Sequence, residues 1–247
     1  MREDEIDAET LRLLRGVSTN SIAGLLIKVG GMRTRTIRHA RPLNAAHARF
    51  VGPAFTVRTV PVREDLTDRA SMVNPKSHLY GTFDRIPAGS VVVWDMAGNT
   101  ECGAIGDVLV AVLQARGVAG FVTDGAMRDG EAIAQSTFPV FCNGVAPAPS
   151  SRLLLTAGVQ ETIGCGGVMV VPGDIVVADA DGVVVVPRHL AAQIAREGAE
   201  LEAVEAWVKA RVARGEPATG LYPPDDRVKA EFRAVTGHGP EPTRFKP

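Results

Sequence analysis

With 247 residues, 45% of them hydrophobic and 22% charged, the chain has the composition of a packed globular protein and the length for one large domain or two small ones. A net charge of −1 and an aromatic content of 5% exclude a global positive field for nucleic acid or an anionic membrane surface and argue against base-stacking platforms. Cys102, Cys142 and Cys165 are too few and too widely spaced for a disulfide framework or a zinc knuckle; with a charged N-terminus that has no apolar signal core, and no membrane-length apolar run, a reducing, cytoplasmic setting is expected.

In chain order, residues 5–16 carry Ile6, Leu11, Leu13 and Leu14 at helical spacing and predict a short amphipathic helix. A second helix follows, capped by Ser18 or Thr19 and ended by Gly30-Gly31. The four arginines of residues 33–41 are expected to form a solvated strand edge or loop, with an anion-binding rim as the alternative. From residue 50, FVGPAFTVRTVPV alternates and is β-branched, which favours a strand; VNPKSHLYGTFDRI reads as a loop and short helix. Val91 to Trp94 read as a buried strand, residues 104–117 as an apolar helix ended by Gly117, and GVAGFVT at residues 117–123 as another buried strand. GEAIAQST is a short helix and FPVFCNGV a strand. Alternation of strand and helix at this spacing predicts parallel βαβ units in one α/β domain. The segment GGVMVVPGDIVVADADGVVVVP holds three β runs split by turn signals, which predicts antiparallel hairpins; its acidic residues Asp174, Asp179 and Asp181 read as turn formers. One long helix is expected over residues 188–214, and the Pro- and Gly-rich tail is expected to wrap over a neighbour or trail off.

The strand at 117–123 ends in DGAMRDG, residues 124–130, where two carboxylates, an arginine and two glycines crowd a position that a simple turn would fill with one Asp and one Gly. Ligands in parallel α/β proteins bind beyond the carboxyl ends of the strands. Arg128 offers a planar, permanently charged fork for a carboxylate or a polarised keto oxygen. Asp129 offers a hard oxygen ligand suited to Mg²⁺ or Mn²⁺ held partly through water. Gly125 and Gly130 are expected to let the backbone approach a ligand. Upstream, Gly106, Asp107, Val108 and Leu109 open a helix whose free amides suit a substrate carboxylate. The alternative reading makes Arg128 and Asp129 a structural ion pair capping the next helix.

GDVLVAVLQARGVAGFVTDGAMRD and PGDIVVADADGVVVVP resemble the class II pyruvate aldolases that cleave 4-hydroxy-4-methyl-2-oxoglutarate and 4-carboxy-4-hydroxy-2-oxoadipate, a family that also contains the regulator of ribonuclease E activity A. The similarity covers roughly residues 15–215. It implies an α/β/α sandwich of the swivelling phosphohistidine-domain type with mixed sheets, residues 1–215 forming the domain and 216–247 an extension. It implies a homotrimer or hexamer with active sites at the interfaces, a 2-keto acid substrate, Mg²⁺ or Mn²⁺, and neither nucleic acid nor membrane as partner. By that resemblance Arg128 binds and polarises the keto acid, Asp129 holds the metal and the Gly106–Leu109 amides take the substrate carboxylate; a water held by the metal shell or by Asp107 is expected to take the hydroxyl proton. Asn74 would lie near the site, and Glu205, with Glu202 behind it, would reach in from a neighbour's long helix. The expected activity is retro-aldol cleavage of a 4-hydroxy-2-keto acid or decarboxylation of oxaloacetate; the alternative is a regulator that binds ribonuclease E without catalysis. The chain departs from the family at Val73, where an Asp is usual, at Ala23-Gly24-Leu25-Leu26 in place of Ser-Asp-Ala-Leu, and at Asn143, where an Arg is frequent. These losses of polar groups imply a different or less polar substrate.

Overall fold

The computed structural model describes residues 6–65 and 78–237. Two helices open the chain. In α1 (Ala8–Gly16) the Asp7 side chain accepts from the Thr10 amide, and in α2 (Thr19–Gly30) the Ser18 hydroxyl accepts from the Ser21 amide; α2 stops at Gly31, whose φ of 63° is left-handed. After the short β1 (Arg41–Pro42), β2 (Phe50–Pro61) begins the sheet. There follow α3 (His78–Phe83), β3 (Val91–Asp95), α4 (Asp107–Ala115), β4 (Gly120–Thr123), α5 (Gly130–Gln135) and β5 (Val140–Cys142). The second half supplies β6 (Leu154–Val159), β7 (Ile163–Cys165), β8 (Val168–Val170), β9 (Ile175–Asp179), β10 (Gly182–Val186), α6 (Ala191–Ala213) and α7 (Asp226–Thr236).

The main sheet runs β1-β5-β4-β3-β2-β9-β10, with β6 also on β2, and it is mixed. The pairs β2–β3, β3–β4 and β4–β5 are parallel, as the βαβ spacing predicts; β1–β5, β2–β6, β2–β9 and β9–β10 are antiparallel. Along one edge, twelve-residue β2 takes β9 against Phe50–Pro53 and β6 against Val57–Pro61, with a bulge at Arg58/Thr59. The sheet therefore curls into a half-barrel. Its inner face brings Val91, Val93, Val122 and Phe141 against Val176, Ala178, Val183 and Val185, and the β7–β8 hairpin joins them through Ile163, Cys165 and Val168. Outside one arm, Val92, Trp94 and Phe121 pack with Val110 and Leu113 of α4 and Ile133 of α5. Outside the other, Ile175, Val177, Val184 and Val186 pack with Leu14, Ile22, Leu26 and Ile194 from α1, α2 and α6. Strands covered on both faces need continuous apolar runs, which is why IVVA and GVVVV read as they do.

Two expectations change. The helix expected from residue 104 starts at Asp107, because Gly103 and Ala104 are drawn into bonds with Ala148 and Ala126. The tail does not trail off over residues 221–236: α7, capped by Asp225 on Val228, lays Val228 and Phe232 on Val204 and Val208 of its own α6. Phe232 meets Trp207 edge-on with centroids 5.9 Å apart, Arg211 sits 4.6 Å above the Trp207 ring, and Arg211 bonds both Glu216 and Glu231. Of the four arginines at 33–41, Arg35 donates to Val185 and Asp174, Arg38 to Gly166 and Arg41 to Asp181, so these three serve the fold rather than an anion-binding rim. Among the described residues, no helix is long and apolar enough to cross a membrane.

Candidate active site

The parallel strands β3 and β4 end together, with Trp94 beside Thr123, and the loop after β4 carries DGAMRDG. Asp124 is 6% exposed. Its Oδ1 accepts from the Met96 amide at 2.9 Å and its Oδ2 from the Gly98 and Gly166 amides at 3.1 Å each. Beyond it the loop is laced on both sides. Ala126 donates to Asn99 and accepts from Ala104; Met127 donates to Gly144 and accepts from Ala146; Arg128 donates to Ile105 at 3.0 Å. A chain held this way extends the sheet by short bridges and is no free turn.

The glycines serve this lacing. A Cβ on Gly125 would sit 2.4 Å from Met96 Cβ, and one on Gly130 would sit 2.4 Å from Val145 Cγ1. Both therefore admit protein neighbours, where the sequence suggested ligand approach. Gly103, which sequence reasoning passed over, faces Arg128: a Cβ there would lie 2.5 Å from Arg128 Cγ and 2.6 Å from its amide nitrogen.

Arg128 is half-buried, and its Nε is buried with no hydrogen-bond partner. Asp129 is exposed and holds a left-handed backbone at φ 51°, ψ 40°, a sparsely populated conformation for a residue with a side chain. It occupies the position before α5 yet makes no side-chain capping bond, and among the described residues Arg128 forms no ion pair. The alternative of a capping ion pair is thus not what the side chains do. Asp129 Oδ2 instead accepts from the Asp107 amide at 3.3 Å, and Asp107 Oδ1 accepts from the Val108 amide at 2.8 Å. Two amides of the expected anion slot at the start of α4 are therefore already turned toward the protein's own carboxylates.

Asp107, Asp129, Gly130, Glu131, Ala132 and Gln135 line a shallow, open depression of about 470 Å³. Val108, 72% exposed, and Val145, 58% exposed, stand beside the two loops that flank it. Gly106, Asp107, Val108, Leu109, Arg128 and Asp129 are thus brought to one end of the sheet. Glu202 and Glu205 are not: on their own chain they line a separate depression of about 600 Å³ between α2, α6 and the segment before α7, which also holds Gly24 and Leu25. There Glu202 accepts from the Ser18 amide at 3.0 Å and the Ser21 hydroxyl at 2.8 Å. Burial by itself would raise the Glu202 carboxyl, but these bonds together hold it below the ordinary glutamate range. Asn143 donates its amide to Gly125, beside the loop. Asn74 and Val73 lie outside the described residues.

Next to Asp124, burial raises the Asp95 carboxyl, opposed by the Ala97 amide and reinforced by the Asp124 charge. Burial likewise raises all three cysteine thiols, Cys165 most of all, so they are inert core residues and not nucleophiles. Among the described residues, no three His, Cys, Asp or Glu side chains converge to hold a metal.

A family model described as RraA-like, Aldolase/RraA, matches residues 14–185. The chain belongs to the RraA-like family. A Halalkalibacterium halodurans protein, named as a candidate 4-hydroxy-4-methyl-2-oxoglutarate aldolase, is 35% identical to it over 188 residues, covering 76% of this chain and 80% of that one. Protein DlpA of Legionella pneumophila is 29% identical over 167 residues, 68% of this chain but only 26% of DlpA. Among solved structures, Streptomyces coelicolor RraAS2, described as an unusual member of the RNase ES inhibitor RraA family, superposes with a TM-score of 0.75 at 30% identity, over 83% of this chain and 98% of that one. The RraA-like match stops at Val185, the last residue but one of β10, so α6 and α7 lie beyond it.

Proposed function

We propose that this RraA-like protein is a divalent-metal-dependent lyase that releases pyruvate from a 4-hydroxy-2-keto acid or from oxaloacetate. The observation that carries the reading is the Arg128–Asp129 pair: a guanidinium with a buried, unpartnered Nε beside an exposed carboxylate, neither used by the other. An unmet buried donor costs about 1–3 kcal/mol, which a substrate oxygen would recover. The aldolase name of the Halalkalibacterium relative supports the same reaction class.

The donor set fits Mg²⁺ or Mn²⁺. Asp129 presents a hard carboxylate in an open depression, and Mg²⁺ is commonly held by one or two carboxylates with water and substrate completing its shell. Bound there, the ion would draw charge from the substrate's keto group. Arg128 would grip the 2-keto carboxylate end and stabilise negative charge growing on the C2 oxygen. Asp107 or a water beside it would accept the proton of the C4 hydroxyl. The C3–C4 bond then breaks, its electron pair forms the enolate of pyruvate, C4 leaves as a carbonyl, and a proton returned to C3 completes pyruvate. Oxaloacetate would lose CO₂ through the same enolate.

In this reading residues 1–215 form the catalytic unit, of the swivelling phosphohistidine-domain type, with 216–247 an extension, and the protein works as a homotrimer or hexamer. The exposed Val108 and Val145 beside the depression favour an interface there. Glu205 is the better candidate for a neighbour's contribution, since Glu202 is already engaged by Ser18 and Ser21. Purified protein should release pyruvate from oxaloacetate, lose that activity in EDTA and regain it with Mg²⁺ or Mn²⁺; Arg128→Ala and Asp129→Ala should each abolish it with the fold intact. Substantial turnover by either variant sinks the assignment. The likeness to RraAS2 supports a second reading, a ribonuclease-binding regulator, and a pull-down with ribonuclease E tests it.

A further inference from the structure

We propose that Asp124 is the positioning residue of this site: its carboxylate is the common reference that sets the Arg128–Asp129 loop against the end of β3 and the β7–β8 turn. This rests on the reading of Arg128 and Asp129 as the reacting pair.

An Asp that only forms a turn bonds its own backbone two residues on. Asp124 does something else. Its three donors, Met96, Gly98 and Gly166, lie 28, 26 and 42 residues away in sequence. Met96 and Gly98 lead into Asn99, whose carbonyl receives the Ala126 amide, so Asp124 grips the same segment that the loop uses two residues later. Gly166 belongs to the Gly166-Gly167 turn, with φ of 53° and 79°, which closes the β7–β8 hairpin. Arg38 fixes that turn from its far side through the Gly166 carbonyl. Three separate pieces of the half-barrel therefore meet on one buried carboxylate at the strand end from which Arg128 departs. Three converging N–H groups match a carboxylate, which only accepts; an amide of the same shape would aim its NH₂ at one of them.

A matched control exists within the chain. Asp179 is also buried and accepts three bonds, from the Thr19 amide, the Thr19 hydroxyl and the Asp181 amide, and it faces Arg49 at 3.7 Å besides, but it ties α2 to the β9–β10 turn and touches no part of the loop. Asp124→Asn and Asp179→Asn therefore remove comparable anchors, one at the site and one elsewhere. At a temperature where both variants are fully folded, D124N should speed hydrogen exchange at the Ala126, Met127 and Arg128 amides, and D179N should not. D124N should lower kcat and kcat/KM for pyruvate release together, by roughly tenfold to a hundredfold, while D179N stays within about twofold of the parent.

The proposal fails if exchange across 125–130 is unchanged in D124N, or if the two variants lose equal activity. If the parent protein releases no pyruvate, the lyase reading fails and the exchange measurement alone decides the role of Asp124. Should D124N not fold, native-state exchange of the parent decides: the amides of Met96, Gly98, Gly166, Ala126, Met127 and Arg128 should open as one unit, and independent opening overturns the idea.

Discussion

Gly106→Ala tests the proposal that the Asp129 carboxylate must stand where it does to hold the metal. Gly106 precedes α4 with φ −108° and ψ −174°, extended backbone that alanine adopts without strain. Its added Cβ would lie 2.2 Å from Asp129 Oδ2 and 3.7 Å from Arg128 Cβ. Ordinary carbon–oxygen contact needs about 1 Å more, and the Asp129 backbone cannot supply it, because its carbonyl accepts from Ile133 and the Arg128 amide before it is bonded to Ile105. The carboxylate must swing aside about its side-chain bonds. A misplacement of about 1 Å can cost on the order of a hundredfold in rate, or about 2.7 kcal/mol of barrier. Stability should hardly move. Alanine is worse than glycine at a helix N-cap by about 1 kcal/mol, and the loss of glycine's freedom in the unfolded chain returns about 0.4–1 kcal/mol. The melting temperature should stay within about 3 °C of the parent. Pyruvate release from oxaloacetate, followed against Mg²⁺ concentration and paired with a thermal melt, reads both numbers. A variant that melts normally and shows parental turnover with a parental Mg²⁺ requirement would refute the placement of Asp129 at the reacting centre.

Three further outcomes follow from the packing and the charges. Phe232→Ala removes about 3–5 kcal/mol of packing, but from a satellite cluster confined to α6, α7 and the segment between them, so it should expose residues 216–237 to protease while the main thermal transition shifts by no more than about 2 °C; a fall of about 6 °C or more would mean that the extension is part of the global fold. Glu202→Gln should destabilise at neutral pH and converge with the parent in acid: a depressed folded carboxyl contributes its stability above the ordinary glutamate value of about 4.3 and loses it as pH falls through the folded value. Asp95→Asn should behave oppositely. The raised Asp95 carboxyl contributes below the ordinary aspartate value of about 3.9 and loses that contribution as pH rises through its folded value, so D95N, which keeps an oxygen for the Ala97 amide, should gain on the parent toward neutral pH. Urea unfolding at several pH values checks both, and parallel behaviour of the two variants would contradict the opposite signs.

The elements most legible in the sequence were those whose pattern is set locally. The runs that became β3, β4, β9 and β10 are apolar on both faces because the sheet is covered on both, and a capping serine and a terminal glycine bounded α2 as they stand in the chain. What escaped was set by partners distant in sequence. LLTAGV became β6 because the second half of β2, past its bulge, has an open edge there, and nothing in that hexapeptide declares it. In the tail, Val228 and Phe232 four residues apart behind Asp225 spell a capped helix, but the surrounding prolines and glycines outweighed that signal, and the partner that stabilises it is an apolar stripe on another helix. At the site, Arg128 and Asp129 stood out as residue types at a strand end. Gly103 did not, Gly106 stood out only as an amide donor and Asp124 only as one of two crowded carboxylates, because a missing Cβ or a buried Asp acquires its full meaning only when the segments at 96–106 and 166 arrive beside it.

The arginines show why an unpaired group carries more information here than the many paired ones. Arg35 reaches Asp174 and Val185, and Arg211 reaches Glu216 and Glu231. Even Arg58, whose Nε is buried without a partner, holds Glu161 with its Nη2 at 3.1 Å. Each of these arginines, which support the fold, reaches a carboxylate or a carbonyl. Arg128 is treated differently. Its backbone is fixed by Ile105, its side chain is packed against the bare face of Gly103, and a carboxylate stands next to it in sequence, yet no ion pair forms among the described residues. The left-handed backbone of Asp129 turns that carboxylate toward the start of α4 and away from the guanidinium, at a conformational cost of about 1–3 kcal/mol. A fold that holds a cation and an anion apart when their pairing would be easy is keeping both available, and a small acid with a keto group beside its carboxylate, together with a divalent ion, is a combination that would engage the two at once.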